Sequence, residues 1–156
     1  MLAALLTLFW ACGYQLSGSG SLPGGIKRIH MSVMNNRTAE SGLEMKVTNA
    51  VIDELTRRGQ NVVAQPDQAE AVLTGVIDSL ATETIARSGS ITATERRVVI
   101  TASFTLKDPK GKVLWQAQQL RAEQAYAVSD INRLQAINTV SQRLAESVYD
   151  RLTDSF

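Results

Sequence analysis

The sequence predicts an α+β fold, a mixed sheet of about four strands with two helices packed on one face. Apolar residues recur at helical spacing in two windows, 43–55 and 134–152. Between them the chain alternates with period two, most clearly over Thr94–Leu106. The resulting order is strand, helix, several strands, helix. A length of 156 residues suits one domain, and 44% apolar with 20% charged residues is ordinary globular usage.

The chain opens on Leu2–Ala11, LAALLTLFWA, a run without charge. It is too short to span a bilayer, which takes about 20 apolar residues. It has the length of a signal-peptide h-region, roughly 7–15 residues. A buried N-terminal helix is the alternative, but such a helix should carry a polar face. No basic n-region precedes the run, so either the true start lies upstream of Met1, which is the expectation here, or export is weak.

Cys12, the chain's one cysteine, stands where this run ends, between Ala11 and Gly13. A small residue followed by Cys after an h-region resembles the bacterial lipobox, although Phe9 and Trp10 are bulkier than that pattern prefers. In that reading the Cys12 thiol takes a diacylglycerol, cleavage frees its amine, and the amine is acylated. Each buried CH₂ contributes about 0.8 kcal/mol, and two or more chains anchor durably. A free buried cysteine, or one lost with a discarded signal, is the alternative. Gly13 in place of Asp resembles sorting to the outer membrane. Residues 1–11 are therefore read as signal peptide, 12–25 as lipidated N-terminus and flexible tether, and 26–156 as a single α+β domain. The Gly/Ser-rich Ser17–Gly25 carries the tether reading.

Lys27–Met34 alternates, with Ile29, Met31 and Val33 on one side of a strand and His30 on the polar side. Asn35–Ser41 is a turn. Leu43, Val47, Ala50, Val51 and Leu55 form a helical stripe that Gly59 ends, after the basic pair Arg57-Arg58. Asn61–Ala64 is a short strand broken at Pro66. Ala71–Leu80 is apolar on both faces, as a strand packed on two sides would be. Ser88-Gly89-Ser90 is a loop tip. Thr94–Leu106 sets Val98, Ile100, Ala102, Phe104 and Leu106 against Arg97, Val99, Thr101, Ser103 and Thr105. The turn Asp108–Gly111 and the strand Lys112–Gln118 complete a hairpin. Ser129 or Asp130 caps a helix to about Thr153, with Leu134, Ile137, Ser141, Leu144, Val148 and Leu152 as its stripe.

A formal net charge of +1 argues against nucleic acid as a partner. With one Cys there is no internal disulfide and no Cys-rich metal site, and the one His, His30, has no second His or Cys near it in sequence. There is no Gly-rich phosphate loop, H-E-x-x-H or G-x-S-x-G, so an enzyme is not expected, and no metal or free cofactor is implied. A binding role draws attention to Arg96, Arg97, Lys107, Lys110 and Lys112 on the hairpin. Arginine forks phosphate and lysine meets it as a point charge. A solvated rim that discourages strand pairing is the plain alternative.

The N-terminal stretch CGYQLSGSGSLPGGIKRIHMSVMNNRTAESGLE resembles the start of mature LptE-family proteins, the lipopolysaccharide-assembly lipoproteins. The matching pieces are Cys12–Leu16, Leu22-Pro23, a strand, and Asn36–Glu44. Val98–Trp115, VVITASFTLKDPKGKVLW, resembles the family's hairpin. The resemblance covers nearly the whole chain and rests on the ordered combination. It implies a sheet of about four strands with two helices, no catalytic activity, and residence on the periplasmic side of the outer membrane. It implies the β-barrel LptD and lipopolysaccharide as partners, with the five hairpin cations as candidate lipopolysaccharide contacts. A periplasmic lipoprotein that acts as a structural adaptor of another envelope complex is the competing expectation.

Overall fold

A computed structural model describes residues 20–89 and 92–154. Leu2–Ala11, Cys12, Ser90 and Ile91 lie outside the described residues. The chain forms β1 (Arg28–Met31), β2 (Asn35–Asn36), α1 (Leu43–Arg57), β3 (Asn61–Val62), β4 (Ala71–Ser88), β5 (Thr92–Lys107), β6 (Val113–Ala127) and α2 (Asp130–Thr153). One six-stranded mixed sheet runs β3-β1-β4-β5-β6, with β2 also paired to β4. The α+β class stands, and the strand count exceeds the expected four: β3 falls within the short strand expected at Asn61–Ala64, while β2 lies inside the expected turn Asn35–Ser41. β1, β2 and β3 run parallel to their partners, whereas β4, β5 and β6 form an antiparallel ribbon.

The helix ends follow their sequences. Ser129 Oγ accepts the Asn132 amide at 3.1 Å, the expected N-cap of α2. Gly59 takes φ +81°, its amide donates to Thr56 and that of Gln60 donates to Leu55, so α1 stops in a Schellman turn. Lys46 meets Asn138, Arg57 approaches Glu146 and Arg58 approaches Asp150, so α1 and α2 run parallel. Arg58 also lies 5.0 Å from the Tyr149 ring centroid. Glu54, buried on α1, is held by Arg57 and Arg58.

Both helices cover one face of the sheet. Val98, Ile100, Ala102, Phe104 and Leu106 of β5 are buried with Ile137, Val140, Leu144 and Val148 of α2 and Val47, Val51 and Leu55 of α1. The stripes read from the sequence hold here, with three corrections. Leu134, expected in the α2 stripe, is 49% exposed, because the first turn of α2 overhangs the core and Ala136 starts the buried face. Val33 is 59% exposed and Met34 is buried instead. The break between β1 and β2 shifts the alternation by one, the Met34 amide donates to Thr48 Oγ1, and the missing side chain of Gly75 leaves room for the Met34 methyl. Finally, β4 is not packed on two faces, since Val72 and Val76 are only half-buried on the uncovered side.

The ribbon is longer than expected. β4 continues past Leu80 and β6 past Gln118. In β6 the buried positions switch from Trp115 and Ala117 to Leu120 and Ala122 across a bulge. At the other end, Leu22 and Pro23 are buried, so the packed domain starts before residue 26 and takes in the end of the expected tether.

Phe104 is 1% exposed at the centre of this core. Phe104→Ala is expected to cost about 3–5 kcal/mol in urea unfolding. Thr101→Ala on the uncovered face is expected to stay within about 0.5 kcal/mol. Equal losses for the two would contradict one-sided packing.

Candidate functional site

The uncovered face of the ribbon carries three polar rungs. In the lowest, Thr74, Thr105 and Gln116 lie side by side, and Thr74 Oγ1 donates to the Thr105 carbonyl at 3.2 Å. In the middle rung Arg37 donates to Asp78 Oδ1 at 3.3 Å and Ser103 Oγ donates to Asp78 Oδ2 at 2.7 Å. The Gln119 amide donates in turn to Ser103 Oγ at 3.2 Å. In the upper rung Glu123 binds Arg97 at 3.2 Å and Arg121 at 3.1 Å. Val99, directly opposite Glu123, is buried on this face.

Bulges build the middle rung. The β4–β5 register slips between Ile77 and Ser79, and the β5–β6 register slips between Ala102 and Phe104. Gln119 sits in the second slip at φ +53°, the one non-glycine residue with positive φ among the described residues. Such strain persists where the surroundings over-determine it, and bulges concentrate where a sheet re-aims side chains. Alternation cannot reveal this rung, because Gln118-Gln119 reads as two ordinary polar residues.

The edges of the ribbon are guarded. Outward carbonyls of β6 are taken by side chains: Glu123 by Arg143 at 2.7 Å, Ala125 by Gln124 at 2.7 Å and Ala127 by Asn132 at 2.9 Å. The far part of β4 carries register slips around Ala86. Both devices discourage indiscriminate strand pairing, so the polar face is the larger surface left for a specific partner.

The five hairpin cations do not form one cluster. Arg96 lies opposite Thr84 and Tyr126 on the helix-facing side, whereas Arg97 lies on the uncovered side. Lys107, Lys110 and Lys112 sit at the other end of β5, on the order of 30 Å away at about 3.3 Å per residue. The turn holding the lysines is set by Asp108, whose Oδ1 accepts the amides of Lys110 and Lys112, each at 2.9 Å. His30 is half-buried, with Nδ1 3.0 Å from the Val63 carbonyl.

Near the hairpin tip, sequence reasoning missed an apolar group at the start of α2. Val128, Ile131 and Leu134 are exposed, Ile131 by 69%. Beside them Arg133 forks Glu40 at 3.2 and 2.7 Å and ties the approach to α1 onto α2. The Arg133 hydrogen bonds hold the Glu40 carboxyl below the usual glutamate range, opposed by burial and helped by the charges of Arg133 and Lys46. An open groove of about 570 Å³ runs between the helices, lined by Lys46, Asp53, Arg57, Asn138, Gln142 and Glu146. Arg57 there is matched to Glu54 and Glu146, so the groove converges on no single ligand charge. Among the described residues no group of three His, Cys, Asp or Glu is placed to hold a metal ion. No described helix is long and apolar enough to cross a membrane.

A model of the LptE family, described as lipopolysaccharide-assembly, matches residues 26–152. None of the curated proteins matches the chain. Among solved structures, lipoprotein B of Nitrosomonas europaea is similar at 18% identity, covering 90% of each chain with a TM-score of 0.59. A protein of Xanthomonas campestris is similar at 9% identity, 88% of each chain and a TM-score of 0.63. A lipoprotein of Caulobacter crescentus is similar at 15% identity, 78% of this chain and 89% of that one, with a TM-score of 0.54. At these identities the likeness is one of fold.

Two outcomes check the local geometry. Gln119→Val is expected to cost about 1–2 kcal/mol, because a β-branched residue resists positive φ, whereas Gln119→Gly is expected to stay within about 1 kcal/mol of the parent. The Glu40 carboxyl has a folded-state pKa below its unfolded value. Its contribution is therefore complete above about pH 4.3 and fades as acid protonates the folded state. Glu40→Gln is expected to cost about 1 kcal/mol at pH 7 and much less at pH 3, measured by urea unfolding.

Proposed function

The chain belongs to the LptE lipopolysaccharide-assembly family, and on that premise we propose that it is a lipid-anchored outer-membrane protein that seats inside the barrel LptD. There it helps the barrel assemble and helps deliver lipopolysaccharide to the outer leaflet. The observation that carries this reading is the uncovered face with its three polar rungs. A barrel interior is polar, so an occupant binds it through hydrogen bonds and charge pairs, and this face offers both over the width of the ribbon. The reading needs no reaction at any residue. The lipid anchor is assigned to Cys12, whose acyl chains would tether the domain without crossing the bilayer.

Lipopolysaccharide phosphates would be met at the hairpin end, where Arg96 and Arg97 flank the ribbon on opposite faces. Arg97 is already bound to Glu123, so a phosphate there competes with a carboxylate. No ion pair is present at Arg96 among the described residues.

Affinity purification of the full chain from detergent extracts is expected to recover LptD, identified by mass spectrometry. Thr101→Trp, bulky on the uncovered face, is expected to lower that recovery about tenfold or more, while Gln142→Trp in the helix groove leaves it unchanged. Absence of LptD from the parent's eluate sinks the reading. Arg96→Glu combined with Arg97→Glu is expected to weaken lipopolysaccharide retention with circular dichroism unchanged. Unaltered retention would return both residues to the role of a solvated rim.

A further inference from the structure

The chain's lysines are Lys27, Lys46, Lys107, Lys110 and Lys112, and every one but Lys46 lies at the same end of the molecule. Lys27 precedes β1, whose Ile29 pairs with Ala71 at the start of β4. Lys107 pairs with Val72 on one side and Val113 on the other. Lys110 and Lys112 occupy the intervening turn. All four side chains are exposed, and none forms an ion pair among the described residues.

The acids at this end are largely engaged elsewhere. Glu70 accepts the Lys27 backbone amide at 2.8 Å and pairs with Arg28 at 3.4 Å. Asp108 is turned onto the backbone amides of its own loop, and Asp150 lies 4.0 Å from Arg58. Among the described residues Asp67 and Asp154 are the remaining carboxylates nearby, and both are exposed. Arginines take Glu70 and Asp150, the turn takes Asp108, and the four ammonium groups form no ion pair among the described residues.

The described chain also begins at this end. The Gly20 amide donates to the Tyr149 hydroxyl at 3.2 Å, and Gln60 Nε2 donates to the Gly20 carbonyl at 2.9 Å. Trp115 Nε1 donates to the Arg151 carbonyl, which sets the last turn of α2 beside the start of β6. Gly20, the first described residue, therefore lies at the end that carries the four lysines.

We infer that this end is a membrane-apposing surface, on which Lys27, Lys107, Lys110 and Lys112 bind the headgroups of an anionic phospholipid leaflet. The anchor assigned to Cys12 lies upstream of Gly20 in the chain, and the lysines set which end of the domain meets the headgroups. Lysines near an anionic surface each contribute about fivefold in binding, and the effect decays within a Debye length. The inference rests on no part of the barrel reading.

The test is vesicle co-flotation of the purified full chain. Phosphatidylcholine vesicles are compared with the same vesicles containing phosphatidylglycerol, at about 50 mM and about 500 mM salt. The parent is expected to prefer the anionic vesicles at low salt and to lose the preference at high salt. Joint replacement K107Q/K110Q/K112Q is expected to reduce the preference by on the order of 100-fold. The matching K107R/K110R/K112R variant should keep it, and so should Lys46→Gln. Equal flotation with both lipids, or a preference abolished by Arg96→Glu but not by the lysine variant, overturns the inference. LptD recovery from the same variants is scored separately. Absence of LptD from the parent's eluate, with the parent's lipid preference intact, counts against the barrel reading alone.

Discussion

Burial of one stripe of β5 under two helices is the constraint from which the rest of the molecule follows. Ile100, Ala102, Phe104 and Leu106 share a core with Ile137, Val140 and Leu144 of α2, and apolar burial is the dominant favourable term in folding. Only two helices are available, and both are used on that side. The opposite face of β4, β5 and β6 is left without a covering layer. It must be compatible with water or with a polar partner, and its rungs of Thr, Ser, Asp, Glu and Arg are. Val99 shows the limit of that tolerance, since it is buried on this face directly across from Glu123.

The same packing sorts the charges. Parallel helices put both C-termini, the start of β1 and the turn after β5 at one end, and both helix N-termini toward the hairpin tip. Arginines are spent on carboxylates, as with Arg133 and Glu40, Arg97 and Glu123, and Arg58 and Glu54. Exposed pairs of this kind contribute about 0–1 kcal/mol each, so their value lies more in fixing side chains than in stability. Lysines near Gly20 remain unpaired, so the two ends of one nearly neutral chain differ in character.

The core was legible in the sequence because long elements carry unbroken periods. The β5 stripe, most of the α2 stripe, the Ser129 cap and the Gly59 stop each depend on a local rule that tertiary contacts left intact. Failures fall where a bulge or break resets the period. Val33 and Met34 exchange roles at the β1–β2 break, and the β6 stripe changes parity at Gln118 and Gln119. β2, two residues inside the expected turn, does not register, whereas β3 falls within the short strand expected at Asn61–Ala64. The candidate site was less legible for the same reason: Asp78, Ser103, Gln119 and Arg37 meet only through register slips. Arg96 and Arg97 are neighbours in sequence, yet alternation sends them to opposite faces. Their separation from Lys107, Lys110 and Lys112 comes from the length of β5, because a hairpin turn keeps residues close only at its own end.

The account stands on the claim that the uncovered polar face, rather than the helix face, is the surface that meets a partner. Photo-crosslinking in intact cells tests it most directly, with a photoreactive residue at Thr74 or Gln116 on the sheet and at Asn49 or Gln142 between the helices. Adducts with LptD from the sheet positions and none from the helix positions are the expected result. Adducts from the helix groove with a silent sheet face would contradict it.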